Sequence, residues 1–224
     1  MRNFKMILQY EGTRYKGWQR QESTEHTIQG KLESILTKMA GTPVEIQGSG
    51  RTDAGVHALG QVANFHADIR MSEQEIMNYV NSYLPEDIAV ISVKEASERF
   101  HSRLNATGKT YCYLLVQSGI PHVFERRFAH RIEERLDVEA MEKAAGYLLG
   151  THDFAAFTST KRGDYIYQGI QFGDAHHDRS AGAGSASDYL FRGWIFVPYG
   201  PDSDRNTDGS RDAASQSRRD SGNT

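Results

Sequence analysis

Cysteine is almost absent from this 224-residue chain, which carries one, Cys112. A single thiol excludes a disulfide framework and a thiolate zinc site, and it fits a reducing compartment. An excess of one charge is missing too: 26 Lys and Arg against 29 Asp and Glu leave a formal net charge of −3. A chain so balanced does not coat nucleic acid wholesale, and any RNA contact has to come from a local basic patch. No apolar run is long enough to span a bilayer. Met1-Arg2-Asn3-Phe4-Lys5 leads straight into a strand pattern, without the apolar core of a signal peptide. These absences predict a cytoplasmic protein with no membrane partner. The length allows a sizeable core, in one large domain or two small ones.

What is present in unusual density is glycine around a lone acid. Gly48-Ser49-Gly50-Arg51-Thr52-Asp53-Ala54-Gly55-Val56-His57-Ala58-Leu59-Gly60-Gln61 holds four glycines, one carboxylate and one guanidinium. It lies between two strand-like runs, residues 44–47 and 62–66. Glycine lets backbone approach a ligand closely, so Asp53 reads as an acid presented to something. An Asp that caps its own turn is the equally available alternative. His57 and His66 flank the loop without metal-ligand spacing or partners, and no metal or cofactor is expected. Gly48-Ser49-Gly50 lacks the following residues of a phosphate-cradling loop, so a nucleotide-binding module is a remote reading.

Around this loop the elements alternate. Phe4, Met6, Leu8 and Tyr10 alternate with Lys5, Ile7 and Gln9 as in a strand. Ile28, Leu32, Ile35, Leu36 and Met39 fall on one helical stripe, with Thr27 as N-cap. Ser72-Glu73-Gln74-Glu75 is a capping box that launches a stripe of Ile76, Tyr79, Val80, Tyr83 and Leu84. Residues 88–93 are a β-branched strand. The order β-α-β-β-α-β over about the first hundred residues is the split βαβ or ferredoxin-like arrangement. Two helices on one face of such a sheet leave the other face open, a platform on which related folds bind nucleic acid.

A second α/β unit starts near Ala106 with the strand Thr110-Tyr111-Cys112-Tyr113-Leu114-Leu115-Val116. It continues in a helix capped by Asp137, with Val138, Met141, Ala145, Leu148 and Leu149 as its stripe and Gly150 as its end. Then the composition breaks. Residues 162–224 contain no Glu, Lys or Met and one Leu, whereas the first 161 residues contain 15 Glu and 8 Lys. So few aliphatics cannot offset chain entropy. The expectation is an α+β protein. A βαββαβ domain over 1–105 carries the loop, a partial second ferredoxin-like unit spans 106–172, and a mostly disordered tail spans 173–224. Within that tail residues 189–199 are the one candidate for order. Arg126, Arg127, Arg131 and Arg135 read either as phosphate contacts or as a solvated basic face. Tyr10, Tyr15 and Trp18 read as packing residues before base-stacking ones.

The loop resembles the G-R-T-D-A-G-V-H-A segment of the tRNA pseudouridine synthase A family. Three other stretches resemble that family in the same order. They are Tyr10-Glu11-Gly12-Thr13-Arg14-Tyr15-Lys16-Gly17-Trp18-Gln19-Arg20-Gln21, the pair Phe100-His101-Ser102-Arg103 and Ala106-Thr107-Gly108-Lys109-Thr110-Tyr111-Cys112-Tyr113, and Gly150-Thr151-His152-Asp153-Phe154. The resemblance runs from residue 2 to about 161. It implies two ferredoxin-like units, a homodimer, and isomerisation of uridine to pseudouridine in the anticodon stem-loop of tRNA, without cofactor or metal. By the same resemblance Asp53 is the nucleophile, Tyr111 stacks on the target base, and Arg51 holds the uridine out of the RNA stem.

One family segment is missing, the late strand G-F-L-Y-N-M-V-R-x-x-x-G-T-L, whose arginine pairs with the nucleophile in the family. Codons for residues 193–207 read one base later permit Gly-Gly-Phe-Leu-Tyr-His-Met-Val-Arg-Ile-Leu-Ile-Gly-Thr, with the arginine arising across Pro201 and Asp202. The hypothesis this motivates is a change of reading frame between about residue 162 and Gly193. Two functional readings follow: an isomerase whose end is misrecorded, or a catalytically dead remnant that binds RNA through its first half. The nucleotide sequence over codons 160–200 tests the frame change. A single-base shift there is expected to restore the motif, and its absence would refute the idea.

Overall fold

The computed structural model of the protein describes residues 1–149, 152, 171–178 and 189–198. It divides into two compact units, with the change between Ala106 and Thr107. The architecture is mixed α+β in both.

The first unit runs β1 (Arg2–Tyr10), α1 (Ile28–Ala40), β2 (Ile46–Gly48), β3 (Ala58–Ala67), α2 (Glu73–Tyr83) and β4 (Ile88–Ala96). Its sheet has the order β2-β3-β1-β4, and every neighbouring pair is antiparallel. The alternation in β1 does what period two requires: Phe4, Met6, Leu8 and Tyr10 are buried on one face. Opposite them stand Phe65 and Ala63 of β3, and Val93, Val90 and Ile88 of β4. The Phe4 and Phe65 rings stack 5.3 Å apart.

Both helices cover that face, and the core joins Ile28, Leu32 and Leu36 of α1 to Ile76 and Val80 of α2. Thr27 caps α1 by accepting from Gly30 N, and Ser72 and Glu75 form the expected capping box of α2. Tyr79 and Tyr83 do not go inside with the rest of their stripe. Tyr83 is half exposed, with its ring 4.8 Å from Tyr79 and Lys38 over it. Glu33 is the charged exception within the buried set. Its Oε1 accepts from Gln29 Nε2 and from Ile46 N, and its Oε2 lies 3.1 Å from Arg20. One acid thereby ties α1 to β2.

Two expectations for this unit need correction. β3 begins at Ala58, four residues earlier than the run from 62, because β1 extends its pairing to Tyr10 opposite Ala58. The irregular loop therefore shrinks to residues 49–57. The second face of the sheet is not fully open either. Asn3 and Asn64 are buried on it, and buried amides require partners. Residues 97–105 supply them: Asn3 Nδ2 donates to Ser97 O and Phe100 O, and Asn64 accepts from Ser102 N.

The second unit runs β5 (Gly108–Gln117), β6 (His130–Ile132), α3 (Val138–Gly146), β7 (Gln171–Asp178) and β8 (Tyr189–Pro198), and its strands form a sheet of order β6-β5-β8-β7. β6 runs parallel to β5, and β8 pairs antiparallel along the whole of β5, from Gly108 opposite Pro198 to Gln117 opposite Tyr189. This order does not repeat that of the first unit. Two strands fall inside or beside the stretch read as a tail. β8 occupies the expected apolar piece, and β7 had no periodic signal of its own. The remainder of that stretch, including Tyr199, Pro201 and Asp202, lies outside the described residues. So do Gly150 and Asp153. Helix α3 starts at the Asp137 cap as expected but stops at Gly146. Residues 147–149 bond three residues back in a tightened turn, so Leu148 and Leu149 leave the helix. None of its residues is buried.

The core makes a quantitative expectation. Leu32 is fully buried, and Leu32→Ala is expected to cost about 2–5 kcal/mol, read as a lowered midpoint in urea unfolding with unchanged slope.

Candidate active site

Residues 49–57 connect the antiparallel pair β2 and β3, and they hold two of the three candidate site residues, Arg51 and Asp53. The base of the loop is closed by Ser49 N donating to Val62 O at 2.8 Å and by Gln61 Nε2 donating to Gly50 O at 2.6 Å. Beneath it lies Trp18, buried, with its indole against Gly48. A Cβ at Gly48 would lie 2.6 Å from the Trp18 ring, a distance no side chain accepts, so this glycine is dictated by close approach.

The upper part is held from outside by residues 10–18. Trp18 N donates to Thr52 O at 3.0 Å, and the Tyr10 and Thr52 hydroxyls bond at 2.9 Å. Gly55 N donates to Tyr15 O at 3.2 Å, and Gly12 N donates to His57 Nδ1 at 3.0 Å. Burial pushes the Tyr10 phenol up, partly countered by the Thr52 bond, so it stays a neutral partner. Tyr10, Tyr15 and Trp18 are all buried, which agrees with packing as their first role.

Between these attachments Val56 N donates to Asp53 O at 3.2 Å, a turn closed by backbone. The Asp53 side chain takes no part in it. Asp53 and Arg51 are exposed, and within the first unit nothing bonds either side chain. The self-capping alternative is thereby removed: this carboxylate is held at a fixed place on the chain and left available. Tyr111, the third candidate, belongs to the second unit. It lies in β5 opposite Ile195 of β8 and is 46% exposed, on the same strand face as the exposed Tyr113.

The clamp on the loop has its own anchor, which the sequence reading did not single out. Asp87, just before β4, accepts from Tyr15 OH at 2.6 Å and from Arg14 Nε and Nη2 at 2.9 and 2.6 Å, while its backbone O accepts from Glu11 N. Burial pushes the Asp87 carboxyl up, but the Tyr15 and Arg14 bonds outweigh it and hold it below the usual carboxylate range. Burial, then the Asp87 bond, push the Tyr15 phenol up. The sequence clue was the cluster of polar and aromatic residues at 10–18, but its partner, 72 positions beyond Tyr15, carried no local signal.

Among the described residues no group of three or more His, Cys, Asp or Glu could hold a metal, and no helix is long and apolar enough to cross a membrane. Arg126 and Arg131 line a cavity of about 260 Å³ with His122, Glu125 and His130. Arg126 bonds back to Val123 O, and Arg131 bonds to Ser118 O and to the Glu133 carboxylate.

A lowered Asp87 pKa carries a sign. The folded state binds the proton more weakly than the unfolded chain, so this stabilisation is present above the unfolded carboxylate value near 3.8 and is lost as pH falls below it. Glu73, Glu75 and Glu95 are lowered as well. Asp87→Asn is therefore expected to lower Tm at pH 7 and to reduce, without abolishing, the further fall in Tm between pH 4 and pH 2. An unchanged acid slope would refute the assignment.

The family model described as tRNA pseudouridine synthase matches residues 6–105, which include the second half of β1, the clamp, the Asp53 loop and β4. The chain is 45% identical over 161 residues to tRNA pseudouridine synthase A 2 of Bacillus cereus (strain ZK / E33L), covering 72% of this chain and 66% of that protein. It is 49% identical over 161 residues to tRNA pseudouridine synthase A of Bacillus sp. (strain KSM-64), and 48% identical over 161 residues to tRNA pseudouridine synthase A 1 of Clostridium tetani (strain Massachusetts / E88), with the same coverage of 72% and 66%. The chain thus spans just under two thirds of the length of these relatives. The family match encloses the Asp53 loop, and over the matched residues the chain is similar to the tRNA pseudouridine synthases.

Proposed function

We propose that this chain is a tRNA pseudouridine synthase that isomerises uridine to pseudouridine in the anticodon stem-loop of tRNA, in the cytoplasm and as a homodimer. The observation that carries the reading is Asp53: an exposed carboxylate on a loop fixed by backbone bonds on both sides of it. An ionised acid kept free of internal hydrogen bonds suits nucleophilic attack. The exposure of Asp53 and Arg51 supports access by an extruded nucleotide, and flipped-out bases are how enzymes act on a base in a duplex.

In this reading Asp53 attacks the target nucleotide at C1′ of the ribose or at the uracil ring, the N1–C1′ bond breaks and the base turns. A C5–C1′ bond forms as the bond to Asp53 is released, and the proton on C5 leaves while N1 takes one up. Tyr111 stacks on the base, with its hydroxyl near that proton. Arg51 takes the space the uridine vacates. The strand order β2-β3-β1-β4 with both helices on one face supports reading the first unit as ferredoxin-like. Arg126, beside the cavity it shares with the Glu133-paired Arg131, supports a local basic patch for phosphate.

One observation favours a second reading, a catalytically dead RNA-binding remnant. Asp53 has no cationic partner within its unit, and the family segment that carries one is missing from the translated chain. Release of tritium from tRNA labelled at uridine C5 separates the two, because that atom leaves only when the new carbon–carbon bond forms. Turnover by this chain contradicts the remnant reading, and absence of turnover contradicts the enzyme reading. In an active chain, Asp53→Asn is expected to lower turnover by more than about 10³-fold. Retained turnover would remove Asp53 from the chemistry.

A further inference from the structure

The turn that carries Asp53 is attached at three levels: at Thr52 before it, at Gly55 in its apex, and at His57 after it. The first two attachments use backbone groups and the Thr52 hydroxyl. The third is different in kind, because it depends on one nitrogen of one side chain. Gly12 N–H points at His57 Nδ1 from 3.0 Å. A peptide N–H can donate only to a ring nitrogen with a free lone pair, so the imidazole is neutral and its proton sits on Nε2.

Gly12 reaches this position because it has no Cβ. A Cβ there would lie 2.0 Å from the Val56 carbonyl oxygen. Two independent features, the hydrogen bond and the backbone contact, therefore bring the same two stretches together: the short turn Gly12–Arg14 and the arm of the loop just after Asp53. Glu11 Oε1 lies 3.7 Å from the same Nδ1 and accepts from Thr13 N, so it shapes the turn that presents Gly12. The far side of that turn is fixed by Arg14 and Tyr15 on Asp87.

We infer that His57 is a positioning residue for Asp53: its neutral Nδ1 latches the downstream arm of the loop to Gly12 and so sets where the carboxylate stands. The inference rests on the reading of Asp53 as nucleophile. His57 is half-buried, and its effect on the reaction passes through the loop backbone. Displacing a reacting group by about 1 Å is enough to cost on the order of 10²-fold in rate.

Asparagine supplies the test, since its Oδ1 branches from the same carbon as Nδ1 and is a permanent acceptor. His57→Ala is expected to lower kcat for tritium release about 10–100-fold with KM for tRNA within about twofold, and His57→Asn is expected to restore most of the loss. Equal damage in both variants, an unchanged kcat in His57→Ala, or a loss confined to KM would overturn the inference. Amide hydrogen exchange at Gly12 and Gly55, measured by NMR, gives a readout that needs no turnover. His57→Ala is expected to lose protection at both amides and His57→Asn to keep it, while protection unaffected by either substitution would overturn the latch. Asp53→Asn is the separate control. Retained turnover there defeats the nucleophile reading, whereas the exchange pattern of the His57 variants still decides whether the latch exists.

Discussion

Peptide groups in an irregular loop have to find partners, and in residues 49–57 those partners come from a stretch some forty positions earlier. Trp18 N, Tyr10 OH, Tyr15 O and Gly12 N each bond to the loop, and the loop has no helix or strand of its own to define it. Its conformation is therefore a property of two segments together. Residues 11–18 are themselves irregular apart from one short turn, and they keep their shape through Asp87 on one side and the buried Trp18 on the other. Whatever Asp53 does depends on this chain of contacts reaching back to the core.

Three carboxylates of the first unit show how environment assigns roles. Glu33 is buried, with Oε1 accepting from Gln29 and Ile46 and Oε2 facing the Arg20 guanidinium. Asp87 is nearly as enclosed and takes three side-chain donors. Both are structural because their charge is met by donors and cations of the fold, and a buried charge without partners is costly. Asp53 is the opposite case, exposed and unbonded within its unit. The distinction follows from position in the fold and not from residue type, and it is why an acid in a glycine-rich loop reads as chemistry while an acid on a helix face reads as glue.

Much of this was legible in the residues alone, for physical reasons. Period-two burial in β1, the Thr27 cap and the Ser72–Glu75 box are local rules, and each appears where its pattern lies. The loop announced itself through glycines at 48 and 55 around Asp53. What stayed hidden was non-local. The partnership of Tyr15 and Arg14 with Asp87 spans most of the first unit, and no periodicity connects them. Ala58 joined β3 because β1 reached far enough to pair with it. Asn3 and Asn64 turned out buried because residues 97–105 fold over them, a choice no alternation could reveal. β6, three residues long and parallel to β5, is too short to leave a periodic trace. Leu148 and Leu149 fell outside α3 because the chain tightened after Gly146, although the apolar stripe continued.

The central place of β1 has a consequence for assembly in time. This first strand pairs with β3 and β4 and with nothing nearer, so Asn3 waits for His66 and then for Ala96. No ladder bond of β1 can close until most of the unit has left the ribosome, and contacts of such long sequence separation make folding slow. Until then Phe4, Met6 and Leu8 form an apolar strand with no mate. The clamp on residues 49–57 matures later still, because Asp87 must arrive before Tyr15 and Arg14 can settle. A nascent chain of this protein thus spends its early life with its most hydrophobic edge uncovered, a state suited to chaperone capture.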